Sequence, residues 1–171
     1  MTLSGTAAIA GIGATEFSKA SGRSELQLSV EAVRAALADC GLGVDDVDGL
    51  TTFTMDTSSE IAVARELGMK EMRFFSRINY GGGAACAVVQ QAAMAVATGV
   101  ADVVVAYRGF NERSESRFGQ FSLAAATQVN TNGLDNAWSY PMGLGTPAAT
   151  VAMQARRYMH CLLYTSDAAD E

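Results

Sequence analysis

Three consecutive glycines, Gly81, Gly82 and Gly83, stand at the head of a long Ala-rich run. Glycines at a helix start let a ligand come close to backbone N–H groups that have no partner inside the helix. Such donors favour an anion and could act together as an oxyanion hole. The same missing Cβ also serves tight packing where a strand meets a helix, and the sequence alone weighs the two uses equally. Other groups able to do chemistry are few. Cys40, Cys86 and Cys161 have spacings that match neither a disulfide framework nor a zinc site. Cys86, inside the Ala-rich run, is expected to be a small hydrophobe in the core. Arg108, Arg113 and Arg117 lie beside Glu112 and Glu115. Solvated or interface charge is therefore expected of them before any contact with a phosphate.

The elements that must position these residues follow from periodicity and caps. Residues 7–17 (AAIAGIGATEF) read as a strand running into a glycine turn. Gly11 and Gly13 begin a G-x-G, but Glu16 occupies the place of the third glycine, which excludes a dinucleotide fingerprint. Ser24-x-x-Gln27 is a capping box, followed by Leu26, Val30, Val33, Leu37 and Cys40 on one helical face and by Gly41 as a stop. Residues 47–53 read as a second strand, and Thr57-x-x-Glu60 opens a short helix ended by Gly68. Residues 72–79 read as a third strand. The glycine triplet then leads into a helix to Thr98, closed by Gly99. Residues 101–107 (ADVVVAY) read as a fully buried strand. Strands alternating with helices predict an α/β fold with a mostly parallel sheet. Residues 109–145 are polar, Gly-rich and irregular, a length that in a compact domain is usually functional. Thr146-Pro147 starts a last helix reaching His160.

Hydrophobic residues make up 49% of the 171 residues and charged residues 18%. That charged share is below the roughly 25% of ordinary soluble domains, which suits a chain burying much of its surface in a core or an oligomer. The net charge of −6 is too mild to demand a charged partner, and no basic cluster points to nucleic acid. Residues 78–101 carry no charge over about the length of a membrane span. Their glycines, Asn79, Gln90 and Gln91 instead predict a helix buried between protein layers. The start lacks the basic region and apolar core of a signal peptide, so a cytoplasmic location is expected.

Residues 78–109 resemble the thiolase superfamily. Its pattern is close to V-N-x-x-C-x-S-G, an Ala-rich helix, then G-x-A-D-V-V-x-A-G. Ile78-Asn79 matches the opening, and Gly99-Val100-Ala101-Asp102-Val103-Val104-Val105-Ala106 matches the close at equal spacing. The resemblance extends over residues 1–160 and implies the N-terminal half of a thiolase-like αβαβα fold, dimeric with a second copy. Counted from Asn79, the thiolase cysteine falls on Gly82, so the nucleophile is lacking. The glycine triplet, and Tyr107 to Arg113 followed by Arg117-Phe118-Gly119, are similar to the lipid-transfer-protein branch, related to sterol carrier protein thiolases.

Members of that branch include retro-aldolases that cleave a β-hydroxyacyl-CoA side chain of steroids and work with a small OB-fold protein carrying a zinc ribbon. The resemblance thus implies carbon–carbon cleavage on an acyl-CoA, with the CoA thioester as substrate, no bound cofactor and no metal. Gly81, Gly82 and Gly83 are the candidate substrate-binding residues. The acid/base residues are expected in a missing C-terminal half. Two alternatives stay open: a cysteine-less lipid-binding or scaffold subunit, and an acyltransferase using another residue. Residues 161–171 (CLLYTSDAADE) break an amphipathic helix without a stop signal and resemble a translated transposon-library sequencing adapter. The natural sequence is expected to continue differently after His160. Without the three acids of that segment, 15 acids face 12 bases, a net charge of −3.

Overall fold

The computed structural model describes residues 4–53, 58–78, 83–111 and 138–162. It divides into a unit spanning Met1–Ser116 and a second spanning Arg117–Glu171. The first unit is α/β: a parallel three-stranded sheet with helices on both faces. Helix α1 is Glu25–Cys40, a 3-10 turn follows at Val44–Asp46, and strand β1 is Gly49–Phe53. Helix α2 is Glu60–Leu67, β2 is Phe74–Ile78, α3 is Ala84–Ala97 and β3 is Val104–Ala106. The strand order is β2-β1-β3, with Leu50 opposite Phe75 on one side and Val105 on the other.

Local chemistry accounts for the helix ends. Ser24 accepts from the Gln27 N–H at 3.2 Å, and the Gln27 side chain accepts from the Ser24 N–H at 3.1 Å, completing the capping box. Gly41 ends α1 at φ 72°, a conformation that a Cβ would oppose. The cap of α2 is Ser59, which accepts from the Ala62 N–H. Thr57, expected in that role, lies outside the described residues.

Period two sends alternate strand residues to opposite faces. Leu50 points into a core with Val30, Val33, Leu37, Val63, Leu67 and Tyr107, the core beneath α1 and α2. Phe53, three residues on, enters the opposite core with Ala84 and Val88 of α3. Each fully buried Leu, Val or Phe contributes roughly 1.5–3 kcal/mol. These two cores fix α1 and α2 on one face and α3 on the other.

The structure corrects four sequence expectations here. Residues 7–17 form no strand. They carry Ile9, Ile12 and Phe17 largely exposed, and their strand-like pattern finds no partner strand among the described residues. The segment rests on α1 instead: a Cβ at Gly13 would lie 2.1 Å from the Ala32 carbonyl oxygen, and the Ile12 N–H donates to Asp39. The buried strand expected over residues 101–107 shortens to β3, which is half-buried with Ala106 exposed, because β3 is an edge strand. Among the described residues no second layer covers the outer face of helix α3. Ala84, Val88 and Ala95 face the sheet, while Cys86, Val89, Gln90 and Met94 are exposed. Cys86, expected in a core, is accordingly exposed among the described residues. No helix of the described residues is long and apolar enough to cross a membrane.

The amino-terminal ends of the three strands are tied by one carboxylate. Asp48 accepts from the N–H groups of Asp102 and Val103 at 2.9 Å each, and from Arg73 at 3.1 Å. Arg73 also reaches Asp102 and the Gly99 carbonyl. Desolvation pushes the Asp48 carboxyl up, but the two backbone donors and Arg73 outweigh it and hold the group below its ordinary value. A depressed carboxylate stabilises the fold above the unfolded value near ~3.9 and loses that contribution as pH falls through the lower folded value. Asp48→Asn in the full-length protein should therefore cost about 1–3 kcal/mol at neutral pH and flatten the stability loss below about pH 4. Chemical denaturation at pH 7 and at pH 3.5 checks both effects.

In the second unit the described residues form a 3-10 turn, Tyr140–Met142, ended by Gly143 at φ 78°, and helix α4, Pro147–Cys161. Thr146 caps α4 by accepting from the Ala149 N–H, with Pro147 at the first position. The helix passes His160 by one residue. Most of the irregular stretch and residues 163–171 lie outside the described residues.

Candidate functional site

In a parallel sheet the carboxyl ends of the strands and the helix N-termini facing them form the usual ligand crevice. Here that edge comprises Phe53, Ile78, the segment from Tyr107 to Asn111, and the start of α3. Helix α3 begins at Gly83 without a side-chain cap and carries no acid in its first turn. The first N–H groups of a helix lack acceptors within the helix and lie at the positive end of its dipole. Gly83 itself has φ −68° and ψ −20°, which any residue can adopt, and a Cβ built on it meets nothing within 4 Å. Among the described residues neither backbone strain nor close packing requires glycine at this position. Gly81 and Gly82 lie outside the described residues.

Beneath this edge, polar groups hold the strand ends in place. Arg77 of β2 forks onto Glu60, with Nε donating to Oε1 and Nη2 to Oε2, each at 3.1 Å. The same Nη2 donates to the Ser58 carbonyl at 3.1 Å, and the buried Tyr107 hydroxyl donates to that carbonyl at 3.0 Å. The Thr52 hydroxyl donates to the Tyr107 carbonyl. Bidentate pairing of this kind fixes geometry as well as charge. The chain leaving β3 is seated on the first turn of α1. Asn111 donates through its backbone to Glu25 and through Nδ2 to the Arg23 carbonyl at 2.8 Å. Gly109 lies so close to Ser29 that a Cβ there would fall 2.0 Å from its hydroxyl oxygen.

Between the buried Tyr107 and Gly109, Arg108 turns outward. Its guanidinium lies 4.8 Å from the Phe53 ring centre and 4.2 Å from that of Phe110. Phe110 packs on the cluster of Phe53, Ala84 and Val88. The cation is thus stacked on rings that also touch the first turn of α3. Arg113 and Arg117 lie outside the described residues. Sequence reasoning missed the Glu60–Arg77 fork and the role of Tyr107. The one available signal was a charge, Arg77, inside a strand otherwise free of charge. Among the described residues no cluster of three His, Cys, Asp or Glu side chains could hold a metal ion.

No protein-family model matches the chain. Over 158 residues it is 70% identical to the 17-hydroxy-3-oxo-4-pregnene-20-carboxyl-CoA lyase of Mycobacterium tuberculosis, covering 92% of this chain and 41% of that protein. It is 66% identical over 161 residues to the steroid side-chain-cleaving aldolase of Thermomonospora curvata, covering 92% of this chain and 40% of the relative. Among solved structures it is similar to a chain of the Ltp2-ChsH2(DUF35) aldolase, with a TM-score of 0.77, 64% identity, and coverage of 92% of this chain and 39% of that one. The chain therefore spans about two fifths of the length of the curated relatives it matches.

Proposed function

We propose that the full-length protein to which this chain contributes is a steroid side-chain-cleaving retro-aldolase. Its substrate is a β-hydroxyacyl-CoA thioester carried on a steroid, of the kind named for the mycobacterial relative. A base takes the proton of the hydroxyl, and the carbon bearing it becomes a ketone. The bond from that carbon to the thioester's α-carbon breaks, and its electron pair passes into the thioester as an enolate. Protonation of the α-carbon releases a short acyl-CoA. Negative charge thus develops on the thioester oxygen, and fixed dipoles aimed at such an oxygen are among the largest catalytic effects. The observation that carries the reading is the uncapped start of α3 at Gly83, with open space where a side chain would stand, in a chain 70% identical to a lyase.

In this reading Gly81, Gly82 and Gly83 bind the thioester, and the acid/base groups come from the remainder of the protein. A small DUF35-type protein, with an OB-fold and a zinc ribbon, is the partner. A second copy completes a homodimer. No bound cofactor or metal takes part.

The test is turnover by the full-length protein with its partner on a steroid β-hydroxyacyl-CoA. We expect a ketone and a short acyl-CoA in equal amounts, with no consumption of free CoA. The intact mass should show no acyl adduct, since glycine at position 82 offers no nucleophile. An adduct mapped to Cys86, whose thiol is exposed, would overturn the retro-aldol reading in favour of acyl transfer.

A further inference from the structure

At the carboxyl edge of the sheet a cation is held in place without a counter-charge. Elsewhere in the first unit Arg23, Arg73 and Arg77 meet carboxylates. Arg108 meets none among the described residues. Arg34 and Arg65 also lack one, but they are exposed along α1 and α2, away from this edge. The Arg108 guanidinium is stacked instead on Phe110 and Phe53, 4.2 Å and 4.8 Å from their ring centres. A ring face attracts a guanidinium through its quadrupole and leaves the N–H groups at the cation's rim for an acceptor.

Both rings belong to the cluster that contains Ala84 and Val88, and Ala84 is the first residue of α3. The cation therefore stands beside a helix start, which presents positive charge of its own. That helix start has no side-chain cap and no acid in its first turn. Two uncompensated positive features at one edge suit an anion between them. A CoA thioester offers two anionic parts: its phosphates, and its thioester oxygen once charge develops there. The phosphates lie at the far end of the pantetheine arm. With the thioester at the start of α3, they cannot also lie one aromatic ring away from it.

We infer that Arg108, fixed on Phe53 and Phe110 beside the start of α3, stabilises the negative charge that develops on the thioester oxygen. The inference rests on the retro-aldol reading for the origin of that charge. A cation already in place has no reorganisation to make as the enolate forms, which is the condition under which such groups act most strongly. Phe53 and Phe110 are then positioning residues that hold the guanidinium.

Two reactions of the full-length protein with its proposed partner test this. One is cleavage of the steroid β-hydroxyacyl-CoA. The other is exchange of the α-hydrogens of the short acyl-CoA product in D2O. There a base removes an α-proton, the enolate forms, and a deuteron from solvent returns to the α-carbon. Exchange passes through the same enolate and needs no steroid. Arg108→Met keeps an apolar chain over the rings and removes the charge. It should lower kcat for both reactions by on the order of 10- to 100-fold, with KM and melting temperature nearly unchanged. Arg108→Lys should recover part of the rate. Full activity in Arg108→Met would overturn the inference and leave a packing role. So would a loss confined to KM that disappears with a pantetheine thioester, which lacks the phosphates and would assign Arg108 to them. A loss that tracks dissociation of a dimer in sedimentation would place Arg108 at a contact between copies. Wild-type protein that exchanges without cleaving sinks the retro-aldol reading alone, and wild-type protein that does neither overturns both.

Discussion

Replacing Gly83 with valine in the full-length protein should lower turnover by on the order of 100-fold or more, with little change in melting temperature. The fold tolerates the substitution because φ at Gly83 is −68° and an added Cβ meets nothing within 4 Å. The branched side chain instead occupies space next to the first N–H groups of α3. Losing one oxyanion donor typically removes about 2.7–4 kcal/mol of transition-state stabilisation. The same substitution at Gly82, the position matching the thiolase cysteine, is expected to act in the same direction. Gly83→Ala is the graded control, with a smaller loss of rate and an unchanged or slightly improved helix. Full activity in Gly83→Val, measured with the proposed DUF35-type partner present, would mean that the thioester does not approach this helix start.

Gly109→Ala should be the most damaging change to the scaffold among the described glycines of the site. Its Cβ would lie 2.0 Å from the Ser29 hydroxyl oxygen and 2.8 Å from the Glu25 carbonyl oxygen. The hydroxyl can turn aside, but the carbonyl belongs to the first turn of α1 and cannot. Overpacking of this kind costs about 1–3 kcal/mol. The displaced segment carries Arg108 and Phe110, so activity should fall with stability. Ser29→Ala added to Gly109→Ala should recover part of the loss and not all, because the Glu25 carbonyl remains. Denaturant melts of the two single variants and the double variant measure the coupling. An unchanged midpoint in Gly109→Ala would show that the exit from β3 is not seated on α1.

Where a rule is local, the sequence was a good guide. Ser24, Gln27, Gly41, Gly68 and Thr146 act within a few residues of themselves, and the structure places each at the helix end its type suggests. The alternation of strands and helices likewise led to a parallel sheet. Legibility failed where a residue's role is set by distant chain. Helix α3 is apolar apart from the adjacent Gln90 and Gln91, so periodicity could not say that Ala84 and Val88 face the sheet while Cys86 faces out. Residues 7–17 have a strand's pattern but no bonded partner strand among the described residues. Asp48 bonds Asp102 and Val103 more than fifty positions away, a clasp that spacing cannot reveal. Within the site, glycine at 83 was readable as either access or packing. Among the described residues nothing lies within 4 Å of a Cβ built at Gly83, so no packing need for glycine is visible there.

The central claim is that the amino end of α3 receives the thioester oxygen. A crystal structure of the full-length protein with a non-cleavable analogue of a steroid β-hydroxyacyl-CoA measures this directly. The account predicts the thioester oxygen about 2.7–3.1 Å from a backbone N–H at the start of α3, next to Gly83. A thioester oxygen bound elsewhere, with the α3 N-terminus facing only water or protein, would contradict it.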